Sequence, residues 1–427
     1  METKQRVEWI DTYKVLAIIL VVLGHATPLF NKYIYQFHVG AFFFISGYVS
    51  GIKKKRFDDV IINKIFTLFI PYTFFALVGV FLFWIFDKIE VLNYISSISD
   101  LPGLRELFAT IYRGLRCDWL GASWFILALL GSIIIQKIFL LMNGNRVGII
   151  YVIMTMGCFL GAYYWHIIGK CPIPVWNFTL FSIAQFYFGI GVIANHFKGF
   201  WGEYRKKKIL NNMVWSIFIF VVNIAVFYYF GDIRRINMDI ASLAINNPMI
   251  DLGMVLNGSI FLWNISLILT KIRSERLKKV IEYIGKNTLG ILFFQFLGYK
   301  IVTAVLCIIH IAPMEAIHLL CPPVEFSNWL WPIYLCVSIL FSLGIWSIMK
   351  KGRLLCFFSG NSREQYKKIY LRLTEIKPYE QICAMTEGGA IVLYDSYKDI
   401  LYAWKNDKIG IIMAGTLVIF GIIYIII

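Results

Sequence analysis

The residues best placed to do chemistry are a lysine, an aspartate and two histidines near the N-terminus. In the segment IDTYKVLAIILVVLGH, Lys14 and His25 enclose nine apolar residues and Gly24. On an α-helix that spacing is close to three full turns, so both side chains leave nearly the same face, about 16 Å apart along the axis. Asp11 stands three residues before Lys14, where an ion pair can close across one turn. His38 follows after a short loop and so lies at the membrane level of His25. An imidazole is the side chain best suited to take a hydroxyl proton near neutral pH. The pattern therefore suggests a lane with a cation at one end and one or two proton acceptors at the other. Such a lane would suit an extended thioester donor, with its phosphates at the cytoplasmic end, which Lys14 with Asp11 would fix, and its acyl end by His25. In this reading His25 is the base, or the transient carrier of the acyl group, and His38 assists it. A structural reading of the same residues stands beside it: Lys14 snorkels to the headgroups and His25 caps the opposite interface.

These side chains need helices to hold them, and the composition says which solvent those helices face. Of 427 residues 59% are hydrophobic and only 15% charged, whereas a soluble domain carries about 25% charged residues. The surplus must face lipid, which predicts an all-α polytopic membrane protein. Stretches of about 20 apolar residues place ten spans near 10–28, 36–52, 60–86, 122–142, 147–168, 178–196, 209–231, 252–271, 287–311 and 329–349, with an eleventh at 409–427. The first is read as a retained helix rather than a signal peptide, since no small-residue cleavage site follows it. The domain reading is a membrane core over 1–350, a small polar cytoplasmic extension over 351–407 and a C-terminal membrane helix over 408–427.

The net charge of +16 is dispersed in short clusters between spans, which orients a membrane protein and cannot follow a phosphate backbone, so nucleic acid is excluded as a partner. With the N-terminus in the cytoplasm, the joints at Lys53 to Arg56, Arg205 to Lys208, Lys271 to Lys279 and Lys350 to Arg353 all fall inside. The charged external loop after the third span is the exception, carrying Lys88, Arg105, Arg113 and Arg116. Eight cysteines contain no C-x-x-C pair, so neither a zinc site nor a disulfide framework is indicated. Gln185, Asn223, Asn257, Asn264 and Gln295 fall inside spans, where amides join helices to one another or line a pocket. Trp165 and Trp176 read as interfacial anchors, with stacking on sugar rings as the alternative.

The two N-terminal motifs, Lys14 to His25 and then FHVGAFFFISGYVSG with His38, Ser46 and Gly47, resemble those of the family 3 membrane acyltransferases. The fucose O-acetylase-like and surface-polysaccharide acetyltransferases are the most similar subgroup. Weaker matches follow in the family's order: FIPYTFF with Lys64 and Pro71, SWFILALL with Trp124, QFYFGIG around Gly189, and EYIGKNTLGILFF with Gly285 and Asn287. The chain departs from the pattern at Lys14-Val15, at Thr67, often basic in the family, and at Gln295, where a histidine is common.

The resemblance implies a ten-helix transmembrane acyltransferase core that uses acetyl-CoA from the cytoplasm and no metal. It implies delivery of acetyl to a hydroxyl of a surface glycan or lipid-linked sugar. It assigns His25 and His38 to catalysis, Lys14, Asp11 and Lys64 to the donor, and Ser46, Gly47, Trp124 and Asn287 to motif or substrate contacts. The expected location is a bacterial cytoplasmic membrane, in contact with lipid, with the N-terminus inside. Two other readings remain beside it: a flippase or transporter of glycan intermediates, and a catalytically inactive relative acting as a scaffold.

Overall fold

The computed structural model describes residues 8–88, 122–167, 178–197, 213–236, 238–240, 244, 247–272, 274–351 and 358. The loop bearing Arg105, Arg113 and Arg116, Trp176, the 408–427 span and all of 351–407 except Lys351 and Phe358 lie outside the described residues. Those described are helical, with no strand among them; an isolated bridge pairs Asp239 with Ala244. Seven helices among them are long and apolar enough to cross a membrane.

The chain divides into two units. The smaller contributes Arg56–Thr67 to the described residues. Within it, helix Phe57–Lys64 carries Lys64 in its last turn, and the Thr67 hydroxyl donates to Asn63 O at 2.9 Å.

The larger unit holds everything else. Helix α1 spans Glu8–Ala26, α2 is a single turn at Asn31–Ile34, and α3 spans His38–Val49. The second predicted span is thus only 12 residues of helix, about 18 Å long, because the chain before it folds into a 3-10 turn at Pro28–Phe30 and then α2. A Thr27 side-chain cap on Leu29 N and Pro28 at the first position start that turn. The next long helices, α4 to α8, are Ile70–Lys88, Trp124–Met142, Ile149–Ile167, Phe178–His196 and Met213–Tyr228. A π-helical turn at Tyr229–Ile233 prolongs the last of these. Then come α9 at Pro248–Leu269, α10 at Glu275–Lys286, α11 at Thr288–Ile308 and α12 at Val324–Lys351.

Glycines set the closest approaches. A Cβ on Gly47 of α3 would stand 1.9 Å from Phe188 O of α7, and one on Gly191 of α7 would stand 2.0 Å from Phe44 O of α3. The two backbones touch reciprocally, as small residues permit in membrane helices. Gly290 and Gly298 of α11 similarly admit Trp346 and Ser338 of α12.

Helix ends that the basic clusters group together meet in space. Lys53 lies 3.3 Å from His196, Lys278 lies 3.5 Å from Glu8, and Lys350 donates to Asn287 at 2.7 Å. At the opposite ends Phe30 packs edge-on against Trp331 at 5.6 Å. Helix α8 is the most outlying, leaving Val214, Trp215, Phe218 and Val221 exposed, as a lipid-facing surface requires.

Candidate active site

Helix α1 sits at the centre of the larger unit, packed by α3, α9, α10, α11 and α12. It is unbroken from Asp11 to His25, so the spacing of about 16 Å between Lys14 and His25 is realised. Lys14 and His25 are both half-buried. The N-terminal end of α1 is covered by α10: Gly285 comes to van der Waals distance of Asp11, its Cβ position 3.5 Å away, and Lys278 reaches Glu8.

At the C-terminal end of α1, the turn formed by Pro28–Phe30 and α2 folds the chain back so that His38 returns to His25. The residue that joins them is Tyr35. Its ring centroid lies 6.2 Å from that of His25 and 5.0 Å from that of His38. The Tyr35 hydroxyl donates to Gly24 O at 3.2 Å and lies 3.4 Å from His25 Nδ1. Burial first, then Cys321 and Asp239, push the Tyr35 phenol above its ordinary value, so it stays protonated. Its one proton goes to Gly24 O, which makes His25 Nδ1 the donor toward the phenol oxygen.

His38 is fixed more firmly. It is 2% exposed, and its Nδ1 lies 2.8 Å from Ile34 O. A carbonyl can only accept, so Nδ1 carries the proton. In the neutral ring Nε2 then holds the lone pair. Both imidazoles therefore turn an Nε2 acceptor away from their anchoring partner. Phe296 of α11 packs against His25 at 5.1 Å, and Tyr299, one turn on from Gln295, donates to Val22 O at 2.5 Å.

The other sequence candidates fall elsewhere. Asn287 spends both polar atoms on helix joints, donating to Tyr283 O and accepting from Lys350, each at 2.7 Å. Gly47 is a packing contact. Ser46 is half-buried on α3, and Trp124 opens α5 beside Phe125, which in turn packs on Phe43 at 4.6 Å. Lys64 belongs to the smaller unit. Of the intramembrane amides, Gln185 donates to Thr155 O at 3.2 Å, Asn264 to Ser216 O at 2.8 Å and Asn257 to Asn223 O at 3.4 Å, so each joins two helices. Gln295 differs: its side chain is fully buried and neither Nε2 nor Oε1 has a hydrogen-bond partner.

Two residues were missed by sequence reasoning. Tyr35 is one aromatic among several in NKYIYQF, and nothing local marks it as the link between two histidines. Lys137 lies inside α5 with no exposed surface and donates to Ile52 O, Lys55 O and Asn145 Oδ1 at 3.1, 2.7 and 2.9 Å. A lysine within an apolar span is itself a signal; here it ties down the backbone that follows α3.

The family model described as an acyltransferase domain, that of acyltransferase family 3, matches residues 7–347, from the start of α1 almost to the end of α12. No curated protein and no solved structure matches the chain.

Proposed function

The chain belongs to this acyltransferase family, and from that premise we propose that it transfers an acetyl group from acetyl-CoA to a hydroxyl of a cell-surface or exported glycan. The observation that carries the reading is the pair of imidazoles joined through Tyr35, on and beside the helix that bears Lys14 three turns away. The half-buried His25 takes the acceptor hydroxyl proton on Nε2. The acceptor oxygen bonds to the thioester carbonyl carbon, the carbon–sulfur bond breaks, and His25 returns the proton to the leaving thiolate. His38 is too enclosed to meet a bulky acceptor and acts as a positioning partner.

The residues along α1 fit a long donor. Lys14 and Asp11 mark the inner end, beside the basic helix α10 with Arg276, Lys278 and Lys279, which suits phosphates. Gln295 offers an unpaired donor and an unpaired acceptor on the α11 face that also carries Tyr299, and a pantetheine arm has amides that match both. Lys64, Ser46 and Trp124 remain candidates by motif alone. The basic joints support a cytoplasmic N-terminus in a bacterial cytoplasmic membrane, so that the donor is taken from inside and the acceptor is met outside.

The test uses membranes carrying wild type or His25→Ala, supplied with radiolabelled acetyl-CoA and the host's own surface glycan. A general base contributes about 10²–10⁴-fold, so label should enter the glycan with wild type and fall by at least about a hundredfold in the variant. Equal labelling by two equally expressed proteins would remove His25 from the chemistry.

A further inference from the structure

Beside Tyr35, on the side of α2 and the π-helical end of α8, lies a cleft of about 450 Å³ lined by Asn31, Lys32, Gln36, Asp232 and Arg235 among others. That volume lies within the usual range for small-ligand sites. Its walls are built from segments 200 residues apart in sequence, held by Asp232, which accepts from both Lys32 and Tyr33. The π-helical turn makes that possible, because it brings Asp232 and the side-chain-free Gly231 round to face α2. A Cβ on Gly231 would lie only 3.0 Å from the Tyr33 ring and 3.2 Å from Gln36 Nε2.

Two hydrogen-bond acceptors in this lining have no partner: Asn31 Oδ1 and Gln36 Oε1. Gln36 is 1% exposed, and its Nε2 donates to Lys32 O at 2.6 Å. That bond fixes which end of the amide is oxygen, so the orphan is an acceptor. Buried acceptors without partners cost free energy that a donor-rich ligand recovers. Arg235, exposed and held in the left-handed region at φ +50°, adds a guanidinium at the rim.

We propose that this cleft is the acceptor subsite and takes a polyhydroxylated sugar unit, two of whose hydroxyls donate to Asn31 Oδ1 and Gln36 Oε1. The inference rests on the acyl-transfer reading for its catalytic meaning, since Tyr35, which forms one wall of the cleft, is also the residue in contact with both imidazoles. Carbohydrate hydroxyls both donate and accept, so they can serve the Asn31 and Gln36 acceptors and the Arg235 donor together. An apolar acceptor could satisfy none of these groups.

The test separates sugar binding from transfer. Oligosaccharides released by mild acid from the host's surface glycan are titrated by calorimetry into the purified full chain. Gln36→Met, of similar length without the amide, and Asn31→Ala should each weaken binding about tenfold, the loss expected for one hydrogen bond to a buried group. Asn31→Asp keeps the acceptor oxygens and should bind within about threefold of wild type. No binding by wild type, or equal binding by wild type, Gln36→Met and Asn31→Ala, overturns the subsite. Sugar binding that depends on Gln36 with no acetyl transfer by wild type would keep the subsite and sink the transfer reading.

Discussion

At the scale of single residues, Tyr35 is the position where chemistry and packing separate most cleanly. Tyr35→Phe keeps both ring contacts with His25 and His38 but loses the bond to Gly24 O and the oxygen near His25 Nδ1. The orienting hydrogen bond is worth about 1 kcal/mol, so kcat for acetyl transfer should fall about fivefold to tenfold while the acceptor KM barely moves. An unchanged kcat would leave Tyr35 as packing alone. Gln295 makes the complementary case. Its amide is buried with both ends unpaired, and replacing such a group by an apolar one of similar shape is close to neutral or stabilising. Gln295→Leu should therefore melt at or above the wild-type temperature, with KM for acetyl-CoA raised severalfold. A lower melting temperature with normal KM would mean that the amide serves the fold. Legibility divides along the same line. Lys14, His25 and their common face follow from helical geometry, and His38 follows from loop length. Tyr35 meets both histidines only once the turn after α1 folds back, and Asn31 and Gln36 acquire the far wall of their cleft only when the π-helical end of α8 comes to rest against α2, a partner 200 residues away that no local pattern records.

Elements were more legible than site residues, because hydrophobic length is a local property. Each of the ten apolar stretches in 1–350 contains a helix, though the second is short and the fifth and sixth are not among the seven long apolar helices. Helix α10 was missed. Its basic residues dominate the local pattern, although Leu277, Ile281 and Ile284 recur at helical spacing and Ser274 caps it by accepting from Leu277 N at 3.3 Å. Val280 and Tyr283 are exposed on it, which suits a helix lying in the membrane interface. The contact of α3 with α7 yields a sharper test. An alanine at Gly47 would put its Cβ against a backbone carbonyl, which cannot swing aside as a side chain can. Overpacking of this kind costs about 1–3 kcal/mol or more, so Gly47→Ala should lower the melting temperature and the yield of folded protein. Gly157→Ala, on α6 with nothing within 4 Å of the added carbon, should leave the melting temperature unchanged or slightly raised. Equal effects from the two would contradict the close approach.

For the whole molecule, the proposed acetyl transfer requires two addresses, a donor side and an acceptor side, joined by one helix. The lane along α1 makes sense only if Glu8, α10 and Lys350 lie on one side of the bilayer while Tyr35, Asp232 and the start of α12 lie on the other. The contacts group the ends in this way, and under the positive-inside rule the basic residues make the cytoplasm the expected side of the first group. That assignment is open to a direct measurement. With all eight native cysteines replaced, a single cysteine is introduced at exposed Lys279 on α10 or at exposed Ile311 after α11. A membrane-impermeant maleimide applied to intact cells stripped of their outer layer should label Ile311→Cys and spare Lys279→Cys until the membrane is opened. The reverse pattern would place α10, Lys14 and Asp11 outside, away from any supply of acetyl-CoA, and would remove the donor role of that end of α1 whatever the imidazoles do.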